Sequence, residues 1–360
     1  MLRKPVCSAK AKAVGLLILL LLIGPIVSAT SCTPGRTQLK IICAGSLIVP
    51  FQEMEKEFEA VHPDIDVVVE GHGSIQVIRY VTELATEADV VAVADYSLIP
   101  MMMYDNQVPG TSQSYADWYV KFATNRLGLA YTNKSKYAYR INATNWYDIL
   151  SGTDIKVGVP NPLIDSCGYR ALMMCQLAEA YYGDEAIFES VMGSFSPPVT
   201  VSDNIDTHVI SVPEVLKPTK VTIRGSSVVL LGLLESGDLD YSFEYESVAR
   251  QHGLGFVELP PEIDLSSQNF ADVYSHVMVR LDFQRFASVI PEFRGEPIVY
   301  ALTIPSNSSH PEAAAEFVEF LLGTEGQRVM SEDYQPTLVP AEVDNPANLP
   351  SRLRTLLAEQ

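Results

Sequence analysis

The sequence predicts an α/β protein with two lobes, each built on a mixed β-sheet. Apolar strands alternate with amphipathic helices from residue 39 onwards, and this order predicts right-handed β–α–β units. The 360 residues, 47% of them hydrophobic, can bury one large core or two smaller ones. Two apolar strands, at residues 127–132 and 297–305, would carry the chain between the lobes. Lobe 1 would then comprise residues 38–126 with 298–360, and lobe 2 residues 127–297.

The first 32 residues have the pattern of an export signal. Four basic residues lie before an apolar run at residues 14–27, and small residues follow that run. The sequence Ala29-Thr30-Ser31-Cys32 is similar to a lipoprotein cleavage site, which would leave Cys32 as a lipid-anchored N-terminus. An uncleaved membrane anchor is the alternative, although the run is short for a full span. We therefore expect an exported protein at the outer face of the cell membrane, attached to the membrane only at its N-terminus.

The net charge argues against anionic polymers and lipids as partners, and the cysteine positions argue against a metal site and a disulfide. The chain has 25 basic and 44 acidic residues, a net charge of −19, and cleavage of the signal would remove basic residues only. Nucleic acid and anionic lipid are therefore not expected as partners. The cysteine spacing matches no metal motif. Cys167 and Cys175 would lie about 12 Å apart along one helix, too far for a disulfide, so we expect buried thiols.

Lobe 1 begins with strands that each end in a polar turn. The turn Gly45-Ser46 leads into a helix to about residue 60, and Gly73-Ser74 leads into a second helix with an apolar stripe ending at Leu84. Ligands of open α/β sheets bind at the carboxyl ends of strands, where both turns would lie. Either turn alone is also consistent with an ordinary tight turn and helix cap. The predicted strands are residues 39–44, 65–70 and 89–95.

Asp165 follows the most informative strand of lobe 2. A β-rich run at residues 155–159 ends in a polar turn, and a helix begins with Asp165 or Ser166 as its N-cap. The first N–H groups of a helix lack intrahelical partners and carry the positive end of the dipole, which favours an oxyanion. This turn alone could be an ordinary cap. Together with the two Gly-Ser turns it predicts an oxyanion site.

The rest of the chain supplies the remaining elements. Pro311 stands at the favoured first position of the last clear helix. The predicted elements are a hairpin-like region at residues 198–223, a helix at 228–234, a strand at 239–245 and a helix at 311–322.

Several short motifs occur in a fixed order along the mature chain. They are Ala44-Gly45-Ser46-Leu47, Gly73-Ser74, Ala94-Asp95-Tyr96, Asn145-Trp146-Tyr147, Asp165 with Cys167-Gly168-Tyr169-Arg170, residues 241–245, residues 257–260 and residues 263–267. In this order they resemble the archaeal tungstate/molybdate-binding proteins of ABC transporters (WtpA type). The resemblance implies a type II periplasmic-binding-protein-like fold whose two lobes close on the anion. It also implies a monomer that works with the permease and ATPase subunits of the transporter and needs no cofactor.

The resemblance also implies a set of binding residues. Asp165 would ligate the tungsten or molybdenum atom directly through a carboxylate oxygen and expand its coordination towards octahedral. By position, the oxyanion-binding residues would be Gly45, Ser46 and Ser74 in lobe 1 and Asp165, Ser166, Cys167, Ser227 and Tyr245 in lobe 2.

One position departs from the family. The family has a second carboxylate where this chain has Ser227. Glu244 and Glu246 are near in sequence, but strand alternation turns both away from the face of Tyr245. With a hydroxyl in place of the carboxylate, we expect coordination nearer tetrahedral.

Other functions stay open at this point. A receptor of similar fold could bind sulfate, phosphate or ferric ion instead. Tungstate and molybdate are fully deprotonated and offer only hydrogen-bond acceptors, whereas monohydrogen phosphate would need an acceptor in the site. An exported hydrolase is the remaining alternative, but the sequence has no Gly-x-Ser-x-Gly motif and its six histidines show no catalytic or metal spacing. We therefore do not expect an enzyme.

Overall fold

Three open β-sheets with helices packed against them make up the fold. The computed structural model describes residues 35–204, 206–282 and 291–359, and the unit Arg36–Gln360 is described below. The predicted signal at residues 1–32, including Cys32, lies outside the described residues. Among the residues described, no helix is both long and apolar enough to span a membrane.

The first sheet has six strands and holds the first β–α–β units. Two helices, α1 (Ile48–Val61) and α2 (Ser74–Thr82), connect its first three strands. Those strands are parallel, whereas the three later ones join antiparallel, so the sheet is mixed as predicted. The spatial order is β15 (Thr337–Val343), β4 (Val120–Thr124), β14 (Val299–Thr303), β3 (Val90–Val93), β1 (Thr37–Ala44) and β2 (Ile65–His72).

Helix α1 packs as its sequence pattern indicates. Phe51, Met54 and Phe58 share one face and are fully buried. Phe58 makes an edge-to-face contact with Phe317, with ring centroids 5.4 Å apart. Phe317 belongs to α9 (Pro311–Leu322), which begins at Pro311 and has the predicted bounds.

Leu84 does not belong to the apolar face of α2. The helix ends at Thr82, and the side chain of Leu84 is 66% exposed. The backbone leaves the helical path here, since Ala85 has a φ of 51° and the N–H of Thr86 bonds back to the carbonyl of Tyr80. The prediction for Leu84 was wrong because the helix ends two residues before Leu84, which the apolar spacing does not show.

The second sheet has five strands and carries the Asp165 turn. Strand β10 (Tyr241–Tyr245) is central, antiparallel to β5 (Leu127–Tyr131) and parallel to β6 (Val157–Pro160). The outer strands are β11 (Gly255–Val257) beside β5 and β9 (Thr222–Arg224) beside β6. The associated helices are α3 (Trp146–Ser151), α4 (Ser166–Tyr182), α5 (Ile187–Met192), α6 (Ser227–Ser236) and α7 (Glu246–Gln251).

The third sheet was not predicted as a separate sheet. The predicted hairpin region does contain an antiparallel pair, β7 (Thr200–Asn204) and β8 (Thr207–Val212). Strand β8 also pairs in parallel with β12 (Val277–Leu281), which in turn pairs with β13 (Glu292–Arg294). The sequence separation between β8 and β12 explains why local patterns could not reveal this pairing.

The chain passes from the first sheet to the second and later returns to the first sheet from the third. It leaves β4 through Asn125 and Arg126 to enter β5, and it returns from β13 through residues 295–298 to β14. The Nδ2 of Asn125 donates to the hydroxyls of Ser247 (2.8 Å) and Tyr300 (3.1 Å), so the first passage is bonded to the strand that follows the second. The residue bounds given above for the two lobes stay a prediction.

The remaining elements lie around these sheets. Cys43, Cys167 and Cys175 are free, buried thiols, as expected. The other helices are α8 (Ala271–Tyr274), α10 (Thr324–Glu332) and α11 (Ser351–Glu359).

Candidate functional site

Several helices begin close together at the junction of the first two sheets. The 3-10 turn Gly45–Leu47 precedes α1, Ser74 is the first residue of α2, and Asp165 is the N-cap of α4. Ser227 is the first residue of α6, and Tyr245 ends β10. Apart from the half-buried Gly45, every residue predicted for the site is at most 6% exposed. The structure therefore brings the predicted residues together in a buried region.

Two glycines allow the helix starts to approach this closely. A Cβ at Gly73 would lie 2.4 Å from the carbonyl oxygen of Ile164, a distance that no side chain tolerates. The same carbonyl accepts the N–H of Gln76 at 3.2 Å. A Cβ at Gly45 would lie 3.1 Å from Val228 at the start of α6. Close packing between segments attached to different sheets thus requires glycine at position 73, whereas at position 45 a side chain would have to displace Val228 slightly.

A chain of hydroxyl groups joins the two sides of the site. The Ser74 Oγ accepts the N–H of Ala94 at 3.0 Å and the Ser166 hydroxyl at 3.2 Å. Because Ser166 gives its only proton to Ser74, the Tyr245 hydroxyl, 3.2 Å away, donates to Ser166. The proton of Ser74 is used by neither bond. Ser74 can therefore donate to an anion at the end of a polarised chain.

Asp165 caps two helices at once. Its Oδ1 accepts the N–H of Cys167 at 2.8 Å, and its Oδ2 accepts the N–H of Ser227 at 3.0 Å. Burial raises the pKa of Asp165 to about 6, although these two N–H groups and the charge of Arg170 act to lower it. Each oxygen thus accepts an N–H, which is the arrangement of an ionised carboxylate. The N–H groups of Cys167 and Ser227 both donate to Asp165 in this structure and do not point to a site for a bound anion.

A buried ion pair, not predicted from the sequence, lies behind the hydroxyl chain. The Nη2 of Arg170 lies 3.2 Å from the Oδ2 of Asp95, and both side chains are at most 4% exposed. The Nη1 donates to the carbonyl of Ala94 (2.6 Å) and to the hydroxyl of Tyr245 (2.9 Å). Tyr169 also donates to Asp95. Since Asp95 follows β3 and Arg170 is on α4, the pair connects the first sheet to the second sheet's helix.

Tyr300 connects Ser46 to Asn125 through hydrogen bonds. Its hydroxyl lies 2.8 Å from the Ser46 Oγ and accepts from Asn125. Sequence reasoning placed Tyr300 only in a returning strand. The signal that it missed is a tyrosine in an otherwise apolar, buried strand, because a buried hydroxyl requires a polar partner.

Glu244 is a second buried carboxyl beside Ser227. Its Oε1 accepts the N–H of Tyr245 at 2.8 Å, and its charge interacts with that of Asp165. Strand alternation separates it from the face of Tyr245, as predicted. Glu244 nevertheless lies beside Ser227 at the start of α6, whose side chain interacts with its carboxyl.

Comparison with known proteins decides the family. Residues 39–334 match the family described as bacterial extracellular solute-binding protein. The chain belongs to this family. The solute-binding protein of Methanoculleus marisnigri is 43% identical over 308 residues, covering 85% of this chain and 83% of its own length. The molybdate/tungstate-binding protein WtpA of Pyrococcus abyssi is 38% identical over 358 residues, covering 96% and 97%.

Solved structures show the fold. The periplasmic molybdate-binding protein of Azotobacter vinelandii has a TM-score of 0.52 at 15% identity and covers 82% of this chain and 98% of its own. The sulfate-binding protein SubI of Mycobacterium tuberculosis has a TM-score of 0.51 at 14% identity, with coverage of 85% and 88%. The predicted two-lobed binding-protein fold is thereby confirmed.

Family membership also settles three broader predictions. The resemblance to tungstate/molybdate-binding proteins is confirmed by the relatives of that name. A solute-binding protein carries its solute as a ligand, so the chain is not an enzyme and its solute is not a cofactor. An extracellular family agrees with the predicted export.

Proposed function

We propose that this solute-binding protein captures tungstate or molybdate for an ABC transporter. The observation that carries the proposal is the convergence of buried helix starts on Ser46, Ser74 and Ser166. Helix N-termini and hydroxyl groups are donors, and an oxyanion without protons offers only acceptors. The relatives called molybdate/tungstate-binding protein share 38–39% of their residues with this chain.

Asp165 has a distinct role in this proposal. A carboxylate beside a dianion is repulsive unless it binds the positively polarised metal atom. Each oxygen of Asp165 accepts one N–H and retains a further lone pair. One of these oxygens would ligate the tungsten or molybdenum of the bound anion, while the helix amides hold the carboxylate in place.

Arg170 supplies charge from behind the site. The protein has a net charge of −19, so distant charges oppose the entry of an anion. Arg170 reaches the site through the Tyr245 hydroxyl, to which it donates at 2.9 Å. Its positive charge polarises the chain from Tyr245 through Ser166 to Ser74 and strengthens the donor that meets the anion.

The transporter partners follow from the same proposal. A receptor of this class delivers its solute to a permease driven by an ATPase, and it works as a monomer. Attachment through a lipid at Cys32 would keep it near the permease. Mass spectrometry of protein purified from its native membrane tests this, since an N-terminus at Met1 would contradict the cleavage.

Tungstate and molybdate are expected to raise the melting temperature. A ligand at 100 times its dissociation constant stabilises the folded state by about 2.7 kcal/mol, because it binds only that state. Differential scanning fluorimetry with each of the two anions should therefore show a shift of several degrees. Sulfate and phosphate at the same concentration should shift the melting temperature far less. Equal shifts with all four anions would reduce the proposal to general oxyanion binding.

Ligand entry requires the site to open. Ser46, Ser74 and Asp165 are each at most 6% exposed, so the buried arrangement cannot admit an anion directly. Separation of the lobes about the passages at Asn125 and at residues 295–298 would expose these residues. Small-angle scattering should therefore give a smaller radius of gyration with saturating tungstate than without it. A profile unchanged by tungstate, while calorimetry shows binding, would contradict the closure.

A further inference from the structure

Glu244 has a carboxyl oxygen without a partner in the middle of the protein. The residue is 0% exposed on the central strand β10. Its Oε1 accepts the N–H of Tyr245, whereas its Oε2 has no hydrogen-bond partner within the described part of the chain. Buried polar atoms in folded proteins nearly always have partners, so an unpaired one indicates a partner still to be supplied.

The surroundings of Glu244 belong to the proposed site. The side chain of Ser227 at the start of α6 interacts with the carboxyl, and Asp165 acts on its charge. The charge of Glu244 also acts on the thiol of Cys167 on α4 and on the hydroxyl of Tyr300 on β14. Each of these residues is in, or is bonded to, the set of helix starts described above. The unpaired oxygen is therefore beside the proposed oxyanion site.

The proton of Glu244 can be assigned to one oxygen. Burial raises the pKa of Glu244 to about 8, and the charge of Asp165 adds to this, while the N–H of Tyr245 and the Ser227 hydroxyl oppose it. Burial thus favours the neutral form of the carboxyl. Since Oε1 accepts a hydrogen bond from Tyr245, the proton lies on Oε2, the oxygen without a partner.

We propose that Glu244 contacts the bound oxyanion directly and that its Oε2–H donates a hydrogen bond to it. This rests on the proposed function and adds a residue to that site. An ionised carboxylate here would face both Asp165 and a dianion, which is repulsive. A neutral carboxyl instead offers the donor that an acceptor-only ligand requires. The two carboxyls of the site thus have opposite roles, Asp165 as an ionised acceptor and Glu244 as a neutral donor.

Two substitutions distinguish three possible roles of Glu244: a hydrogen-bond donor, an ionised ligand and a residue needed only for the fold. In the full chain, Glu244→Gln keeps the size and an N–H donor, whereas Glu244→Met keeps the size only. By calorimetry with tungstate at pH 7, Glu244→Gln should bind within about threefold of the wild type. Glu244→Met should bind at least about tenfold more weakly, since a hydrogen bond to a charged group is lost.

A matched control lies two residues earlier on the same face of β10. Ser242 is fully buried, and its hydroxyl donates to the carbonyl of Phe243 at 3.2 Å. Ser242→Ala should leave the affinity for tungstate unchanged. Circular dichroism and thermal unfolding of each variant establish that it is folded before its affinity is compared.

The outcomes distinguish this proposal from the proposed function. If the wild type does not bind tungstate or molybdate, the proposed function fails and this proposal fails with it. If the wild type binds but Glu244→Met binds equally well, Glu244 makes no contact and only this proposal is overturned. If Glu244→Gln loses as much affinity as Glu244→Met, a carboxylate is needed and the donor role is overturned.

Discussion

Replacing Arg170 by methionine is expected to lower the free energy of unfolding by about 3–5 kcal/mol. Arg170 and Asp95 are paired at 3.2 Å with almost no exposure, so the substitution leaves the charge of Asp95 buried and uncompensated. It also removes the donor to the carbonyl of Ala94 and the hydroxyl of Tyr245. Urea unfolding of the ligand-free wild type and variant, followed by circular dichroism, measures the difference.

Two comparisons show whether the loss arises from the buried charge. The double variant Arg170→Met with Asp95→Asn should be more stable than Arg170→Met alone, because no charge is left buried. Arg280 forms an ion pair with Glu292 at 2.7 Å, but both side chains are more than a third exposed. Arg280→Met should therefore cost less than about 1 kcal/mol. An equally small cost for Arg170→Met would contradict the importance of the buried pair.

The Arg170 pair shows where sequence reasoning stops. Arg170 stands among apolar residues in α4, and Asp95 follows the apolar strand β3, so each is a visible charge in a buried segment. Their separation of 75 residues hides the pairing, because local periodicity gives the buried face of an element and not the element that covers it. The same limit applies to Glu244, where alternation gives the face of the strand but not the residues that pack against that face.

Local chemistry, in contrast, was predictable. The bond from Cys167 N–H to Asp165 spans two residues and follows from the capping preference of aspartate at a helix start. The bond from Ser227 N–H to the same carboxylate spans 62 residues and depends on the packing of α6 beside α4. The hydrogen bond of Asp165 to Cys167, within one helical turn, could be predicted from the sequence. The bond to Ser227, which depends on the tertiary fold, could not.

Asp165→Ala is expected to weaken tungstate binding by more than about 1.5 kcal/mol, which exceeds the loss of a typical neutral hydrogen bond. The substitution removes the proposed metal ligand and leaves the N–H groups of Cys167 and Ser227 without their acceptor. Calorimetry with tungstate measures the change in affinity. Ser267→Ala is the control, because it removes another helix-capping side chain, which accepts from Asn269, without touching the site.

The number of oxygen atoms that coordinate the tungsten of the bound anion is a second test of the same site. With Ser227 in place of a second carboxylate, and with Glu244 neutral, Asp165 is the only ionised carboxylate proposed to reach the metal. X-ray absorption of bound tungstate should therefore show a site nearer tetrahedral, with at most one distorted extra oxygen. Ser227→Glu should raise the coordination number without abolishing binding, since it places a carboxylate at the start of α6. A regular six-coordinate oxygen shell in the unmodified protein would contradict this, because a second carboxylate would then have to ligate the metal, and Glu244 would act as a ligand and not as a donor.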